Sequence, residues 1–173
     1  MRRETCGQKG FTLIELLIVI AIIGLIAAML IPNLLDAMQK TKQKRTIADM
    51  RITGTALFSW LTDEVGAAAA GQVNSNVTIA SYGTQKSLAV MESILVPTYL
   101  QVVPPRDGWK FTYEYYVKTE DVHARQVMLI RSRGRDNVAS SSGSYTVTSF
   151  DPTNYDEDVV WADGFMVRWP QKN

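Results

Sequence analysis

The sequence predicts an α+β fold, with one long N-terminal helix and a C-terminal domain built around a small antiparallel sheet. Three observations carry this. Residues 11–32 read FTLIELLIVIAIIGLIAAMLIP, with Glu15 as the only charge. Apolar residues then recur at helical spacing as far as Leu61. Beyond that helix, short runs with strand periodicity are separated by proline, glycine and aspartate turn signals.

The first half of the helix is built for lipid. Leu16 to Leu35 is twenty uncharged, mostly apolar residues, the length of a bilayer-crossing helix at about 1.5 Å per residue. A secretory signal has a shorter apolar core followed by a small-residue cleavage site. This core is longer and no such site follows it. Cys6 precedes the run, so it is not in a lipoprotein setting. Glu15 needs a reason, because a charge near the end of such a helix is costly. It is either a carboxylate snorkelling at the membrane edge or a group with a partner.

The second half has one apolar stripe. Ile47, Met50, Gly54, Leu57, Phe58 and Leu61 share a face, with Arg45, Asp49, Arg51 and Asp63 elsewhere on the wheel. That profile suits a helix packed on a domain. A continuous helix over 11–64 would be about 80 Å long. Gly24 and Pro32 are its weak points, and some irregularity between them is expected.

The remaining elements follow in order. Residues 66–76 shift to small and polar types and predict a loop. Residues 86–95 predict a short helix ended by Pro97. Pro104-Pro105 and Asp107-Gly108 mark a turn. Phe111, Tyr113 and Tyr115 alternate with Thr112 and Glu114 as in a half-buried strand. Residues 125–130 and 145–149 predict two further strands, inside or beside a long polar loop over 131–157. In VVWADGFMVRW, residues 159–169, Asp163-Gly164 between apolar runs signals a type I′ hairpin, since both turn residues must accept positive φ.

Composition excludes several functions. The chain has 18 Lys+Arg against 17 Asp+Glu, so no basic surplus points to nucleic acid. His123 is the only histidine, which leaves no His-based zinc site and no Ser-His-Asp triad. It reads as a turn residue. No phosphate-binding glycine motif occurs, and the four tryptophans are scattered as packing residues. An enzyme is not expected. Lys40, Lys42, Lys44 and Arg45 flank the apolar run on one side and Arg2, Arg3 and Lys9 on the other. The charge rule for membrane topology therefore does not fix the orientation.

The short basic leader MRRETCGQKG, the Gly10-Phe11 junction, Thr12, Glu15 and the apolar run resemble the processing site of the type IV pilin superfamily, which includes the pseudopilins of type II secretion. The resemblance implies a type IV pilin-like fold. It implies that a prepilin peptidase cuts between Gly10 and Phe11 and methylates the new terminus at Phe11. The regions would then be a leader over 1–10, the membrane half of the helix over 11–32 and an extracytoplasmic domain over 33–173. Glu15 is expected to meet the terminal amine of a neighbouring subunit during assembly. Gly24 and Pro32 bound a stretch that can unwind in filaments. The N-terminus is placed in the cytoplasm and the anchor in the inner membrane. The partners implied are further copies of the chain in a homopolymer, minor pilins or pseudopilins, and an assembly platform with its ATPase.

The C-terminal part resembles the major pseudopilin in particular. Tyr99-Leu100, Pro104-Pro105, Asp107-Gly108-Trp109 and Tyr113 are similar to that family's leucine–proline–aspartate–tryptophan–glycine–tyrosine stretch, with Lys110 where glycine is usual. Residues 130–137 resemble its serine–leucine–glycine–alanine–aspartate–glycine segment, and residues 156–161 its closing acidic segment ending in tryptophan. The resemblance implies calcium, with Asp136, Asp158 and then Asp156 as ligands. Calcium takes six to eight oxygens. The residues themselves also allow another reading, in which Arg131, Arg133 and Arg135 neutralise Asp156, Glu157 and Asp158. The function implied is a structural subunit of a secretion pseudopilus. The alternatives are a type IV pilus subunit and a monomeric, membrane-tethered calcium-binding module.

Overall fold

The structure, a computed structural model, describes residues 10–65 and 76–171. Most of the expected leader and nearly all of the segment read as a loop over 66–76 lie outside the described residues. The chain divides into two compact units, Met1–Met38 and Gln39–Asn173.

Helix α1 (Leu13–Val65) begins in the first unit. There its large apolar side chains are exposed, among them Ile14, Ile18, Leu25, Leu30 and Leu34. The helix is long and apolar enough to cross a membrane. α1 runs through both Gly24 and Pro32, where irregularity was expected. Pro32 removes only one backbone bond, to the carbonyl four residues earlier. Gly24 has open space around it.

In the second unit α1 turns one face to a core. Met50, Gly54, Ala56, Leu57, Trp60 and Leu61 are buried there, as the stripe predicts. Strand β1 (Asn76–Thr78), a 3₁₀ turn at Ile79–Tyr82, β2 (Gln85–Lys86) and helix α2 (Leu88–Leu95) follow. Then come β3 (Glu114–Val117), β4 (Met128–Ser132), β5 (Ser144–Thr146), β6 (Thr148–Phe150), β7 (Val159–Ala162) and β8 (Phe165–Pro170). Six strands form one sheet in the order β2-β3-β4-β7-β8-β6, and β1 pairs with β5 in a second, two-stranded sheet.

Three expectations shift. The run over 145–149 is two strands in different sheets. The large sheet is mixed, because β6 pairs parallel to β8 at the edge while the other pairs are antiparallel. The alternation at 111–115 is also displaced. Strand β3 starts at Glu114, because residues 107–111 are held in a turn.

The sheet is covered on both faces. Met128, Ile130 and Trp161 pack in the cluster that contains Met50, Leu57 and Leu61 of α1. Leu129, Val160 and Ala162 belong to a second cluster with Val77, Tyr82, Tyr145 and Val167. Successive residues of a strand point to opposite faces, so β4 and β7 are buried at every position, and the two polar residues among them, Arg131 and Ser132, are hydrogen-bonded to Glu114 and Asp107.

Two glycines let the backbone of α1 come close. A Cβ on Gly54 would lie 2.4 Å from the Trp161 ring. A Cβ on Gly108 would lie 2.1 Å from the Lys42 carbonyl oxygen. The 107–111 turn is tied to α1 and β4 by side chains. Asp107 accepts from the Trp109 and Phe111 amides, both at 2.9 Å, and from the Ser132 hydroxyl at 2.7 Å. The Gly108 amide donates to Thr46 Oγ1 at 2.9 Å, and Trp109 Nε1 donates to Gln39 Oε1 at 2.8 Å. Lys110 has φ of 75°, the left-handed region that favours glycine.

The type I′ signal holds. Asp163 and Gly164 have φ of 44° and 101°. Asp163 also does more than turn the chain. Its carboxylate accepts from the amides of Val127 and Met128 at 3.0 and 3.1 Å, and from the Tyr82 hydroxyl at 2.7 Å.

Gly108→Ala is expected to destabilise the domain by about 1–3 kcal/mol or more, since the clash is with backbone and not with a flexible side-chain end. Lys110→Gly, two residues on, should leave the melting temperature unchanged or raise it. Thermal melts of the full chain in detergent compare the two.

Burial raises the carboxyl of Asp163 above its ordinary value of 3.8, against the bonds from Met128, Tyr82 and Val127 and the charge of Lys118. A group raised in the folded state contributes stability that is full below its unfolded value. That contribution is lost as pH rises through the folded value. The stability difference between the native chain and Asp163→Asn should therefore shift against the native residue as pH rises from about 3 to 7. Denaturant midpoints across that range measure it, and a difference independent of pH would refute the assignment.

Candidate functional site

The first candidate site is the start of α1. Gly10 and Phe11 precede the helix and are exposed. Thr12 is its N-terminal cap, and Thr12 with Glu15 forms a capping box. The Thr12 amide and hydroxyl donate to Glu15 Oε2 at 2.9 and 2.7 Å, and the Glu15 amide donates to Thr12 Oγ1 at 3.3 Å. This arrangement satisfies donors that every helix start leaves open. Sequence reasoning singled out Glu15 and gave Thr12 no role of its own. The Thr-x-x-Glu spacing before an apolar run was the available signal. Glu15 follows Phe11 by four residues in the sequence.

The second candidate site is the acidic stretch between the strands. The three aspartates proposed as ligands have separate partners. Asp136 Oδ1 accepts from the Val138 amide at 2.9 Å. Asp156 is clamped by Arg135, whose Nε and Nη2 donate to Oδ1 and Oδ2 at 2.8 and 2.7 Å. Asp158 is fully buried. Its Oδ2 accepts from the Tyr145 hydroxyl and from the Ser140 amide at 3.2 Å, and its own amide donates to Ser140 Oγ at 3.2 Å. Among the described residues, no three His, Cys, Asp or Glu side chains gather as a metal centre. One feature would suit a cation: Asp158 Oδ1 is buried with no hydrogen-bond partner. Calcium takes six to eight oxygens, and two of the three carboxylates proposed as its ligands are engaged elsewhere, Asp156 by Arg135 and Asp136 by a backbone amide. As placed, these three side chains do not form a calcium donor set by themselves.

The arginine reading is right in kind and wrong in detail. Of Arg131, Arg133 and Arg135, only Arg135 is ion-paired with the acidic stretch among the described residues. Arg131 and Arg133 both reach Glu114, because the β3–β4 register sets Glu114 directly opposite Arg131. Arg131 Nε donates to Glu114 Oε2 at 2.6 Å, and its Nη1 donates to the Tyr145 hydroxyl at 3.0 Å. Glu157 is paired instead with Arg168, at 2.6 Å. Glu114 was read as the outward residue of a half-buried strand. It is 8% exposed, because this sheet is covered on both faces. Gly134 and Asn137 have φ of 69° and 57°, the left-handed region that favours glycine.

Comparison with known proteins converges on the helix start and extends beyond it. Residues 6–31 match the family described as the prokaryotic N-terminal methylation motif. A fimbrial protein of Pseudomonas aeruginosa is 30% identical over 153 residues, covering 86% of this chain and 94% of its own length. A type II secretion system core protein G of Klebsiella michiganensis is 28% identical over 122 residues, covering 66% of this chain and 75% of its own. The core protein G of Escherichia coli K12 is 36% identical over 61 residues, 35% of this chain and 42% of its own. No solved structure matches. The motif at Gly10–Glu15, the long apolar helix, the α+β domain and the near full-length likeness to a fimbrial protein place this chain in the type IV pilin-like family, related to the pseudopilins of type II secretion.

Proposed function

We propose that the chain is the major pseudopilin of a type II secretion pseudopilus, cleaved between Gly10 and Phe11, methylated at Phe11, and polymerised through its apolar helix. The observation that carries the filament role is the run of exposed apolar side chains from Phe11 to Met38. Single chains rarely leave so large an apolar surface bare. Lipid covers it in the membrane and other copies cover it in a filament. A contact between unlike surfaces of identical subunits repeats without closing and yields an open helical polymer. The secretion role draws on the Asp107–Trp109 turn, the left-handed Lys110, Gly134 and Asn137, and the similarity to core protein G. A peptidase, an ATPase and a membrane platform are the partners this reading requires. A type IV pilus subunit is the second reading, favoured by the nearly full-length match to a fimbrial protein.

Mass spectrometry of the membrane-extracted protein should show a chain beginning at methylated Phe11. A mature protein still carrying residues 1–10 would end the filament reading. Glu15→Leu should leave the subunit inserted, since it removes a charge from an apolar helix, and should lower cross-linked oligomers well below the native yield. Cross-linking at native yield would make the carboxylate incidental.

Deleting the gene separates the two roles. Exported proteins held in the periplasm, with surface pili intact, support the pseudopilin reading. Lost pili with normal export support the pilus reading and sink the secretion one.

A further inference from the structure

We infer that arginines do in this chain what a bound cation would do, closing the acidic stretch around residues 151–158 onto the sheet so that the domain folds without divalent metal. The inference does not depend on whether the filament serves secretion or a pilus.

Each acidic side chain from 156 to 158 is held by a defined group. Arg135 grips Asp156 with two parallel bonds, the fork geometry that matches a carboxylate. The same guanidinium lies 6.0 Å from the centre of the Tyr155 ring, and the Arg135 amide donates to the Tyr155 carbonyl at 2.8 Å. Residue 135 is thus fastened to residues 155 and 156 by backbone, ring and charge together. Arg168 on β8 holds Glu157 and lies over the Phe150 ring at 5.6 Å. Asp158, too deep for direct contact with an exposed arginine, is reached through a relay. Arg131 donates to the Tyr145 hydroxyl, which donates to Asp158. Buried Glu114 and the partly exposed Arg133 complete the charges at the start of that relay.

The backbone supports the same conclusion. A Cβ on Gly134 would stand 2.7 Å from the Tyr155 carbonyl oxygen and 2.9 Å from that of Glu157. The two segments are therefore already in contact. Placing calcium there would also set it beside Arg135, and freeing Asp156 for it would break the arginine fork.

The test uses the full chain in detergent, with calcium chloride or a chelator as the probe. Wild-type melting curves should coincide in the two conditions. The double variant Arg135→Gln/Arg168→Gln changes two side chains that are not buried, so the core should still form. It should speed amide exchange at residues 154–158 by about tenfold or more, in calcium and chelator alike, while β4 and β7 amides stay protected. Either of two results overturns the inference. One is a wild-type melting temperature or loop protection that rises with calcium over chelator. The other is a double variant whose loop exchanges as slowly as the wild type.

Discussion

The packing of this domain depends on how closely α1 can approach the sheet. Gly54 lies against the face of Trp161, and Gly108 lies against the carbonyl of Lys42. At both points a methyl group would overlap its neighbour. With both contacts made, Met50, Leu57 and Leu61 meet Met128, Ile130 and Trp161 in one cluster. The 107–111 turn can then reach Thr46 and Gln39 with hydrogen bonds. Interiors packed at crystal-like density tolerate little slack. A shift of α1 away from the sheet would loosen the core and release the turn together.

The same seat explains which parts of the fold were legible in the sequence. Period-3.6 apolar spacing marked the buried face of α1 correctly, because nothing competes with packing along that face. The Asp163-Gly164 hairpin was legible because its turn demands positive φ and the residue types announce it. The strand at 111–115 was misplaced by alternation alone. Asp107 draws Trp109 and Phe111 into a turn through its side chain, and no periodicity records that. The short strands β1 and β2 carry two or three residues each, too few to show a period. Residues 145–149 looked like one strand because the pattern does not reveal that Val147 is where the chain leaves one sheet for the other. At the sites, Glu15 was legible as a charge out of place. Glu114 was not, since a charged residue in an alternating run looks solvent-facing until the second covering layer, with Val77, Tyr82 and Tyr145, is known.

The charged groups of the domain show how a loop-rich fold can hold together without a disulfide. The only cysteine in the sequence, Cys6, precedes the apolar run. A metal or a disulfide closes a loop through one strong link. Here the closure is distributed. The Asp156 fork is exposed and by itself is worth little. It gains from the stacked Tyr155 ring and from the backbone bond at the same residue, since each contact holds the groups the others need. The Arg131–Glu114 pair is buried and costs desolvation. It is offset by a second arginine on Glu114 and by the Tyr145 bond that extends it to Asp158. Removing one partner of such a pair would leave a buried charge unmatched, so the network specifies the loop's position as much as it stabilises it.

The start of α1 solves a related problem where water is scarce. A carboxylate in an apolar helix needs donors, and a helix start has amides without acceptors. Thr12 brings the two needs together, giving its amide and hydroxyl to Glu15 while its oxygen takes the Glu15 amide. The charge is thereby held at the positive end of the helix dipole, where it is least costly. On the proposed reading, the box would satisfy the carboxylate from within before assembly, and a cationic terminus on a neighbouring copy would be a stronger partner than these neutral donors. In the proposed filament, that difference in strength favours the assembled state over the unassembled one.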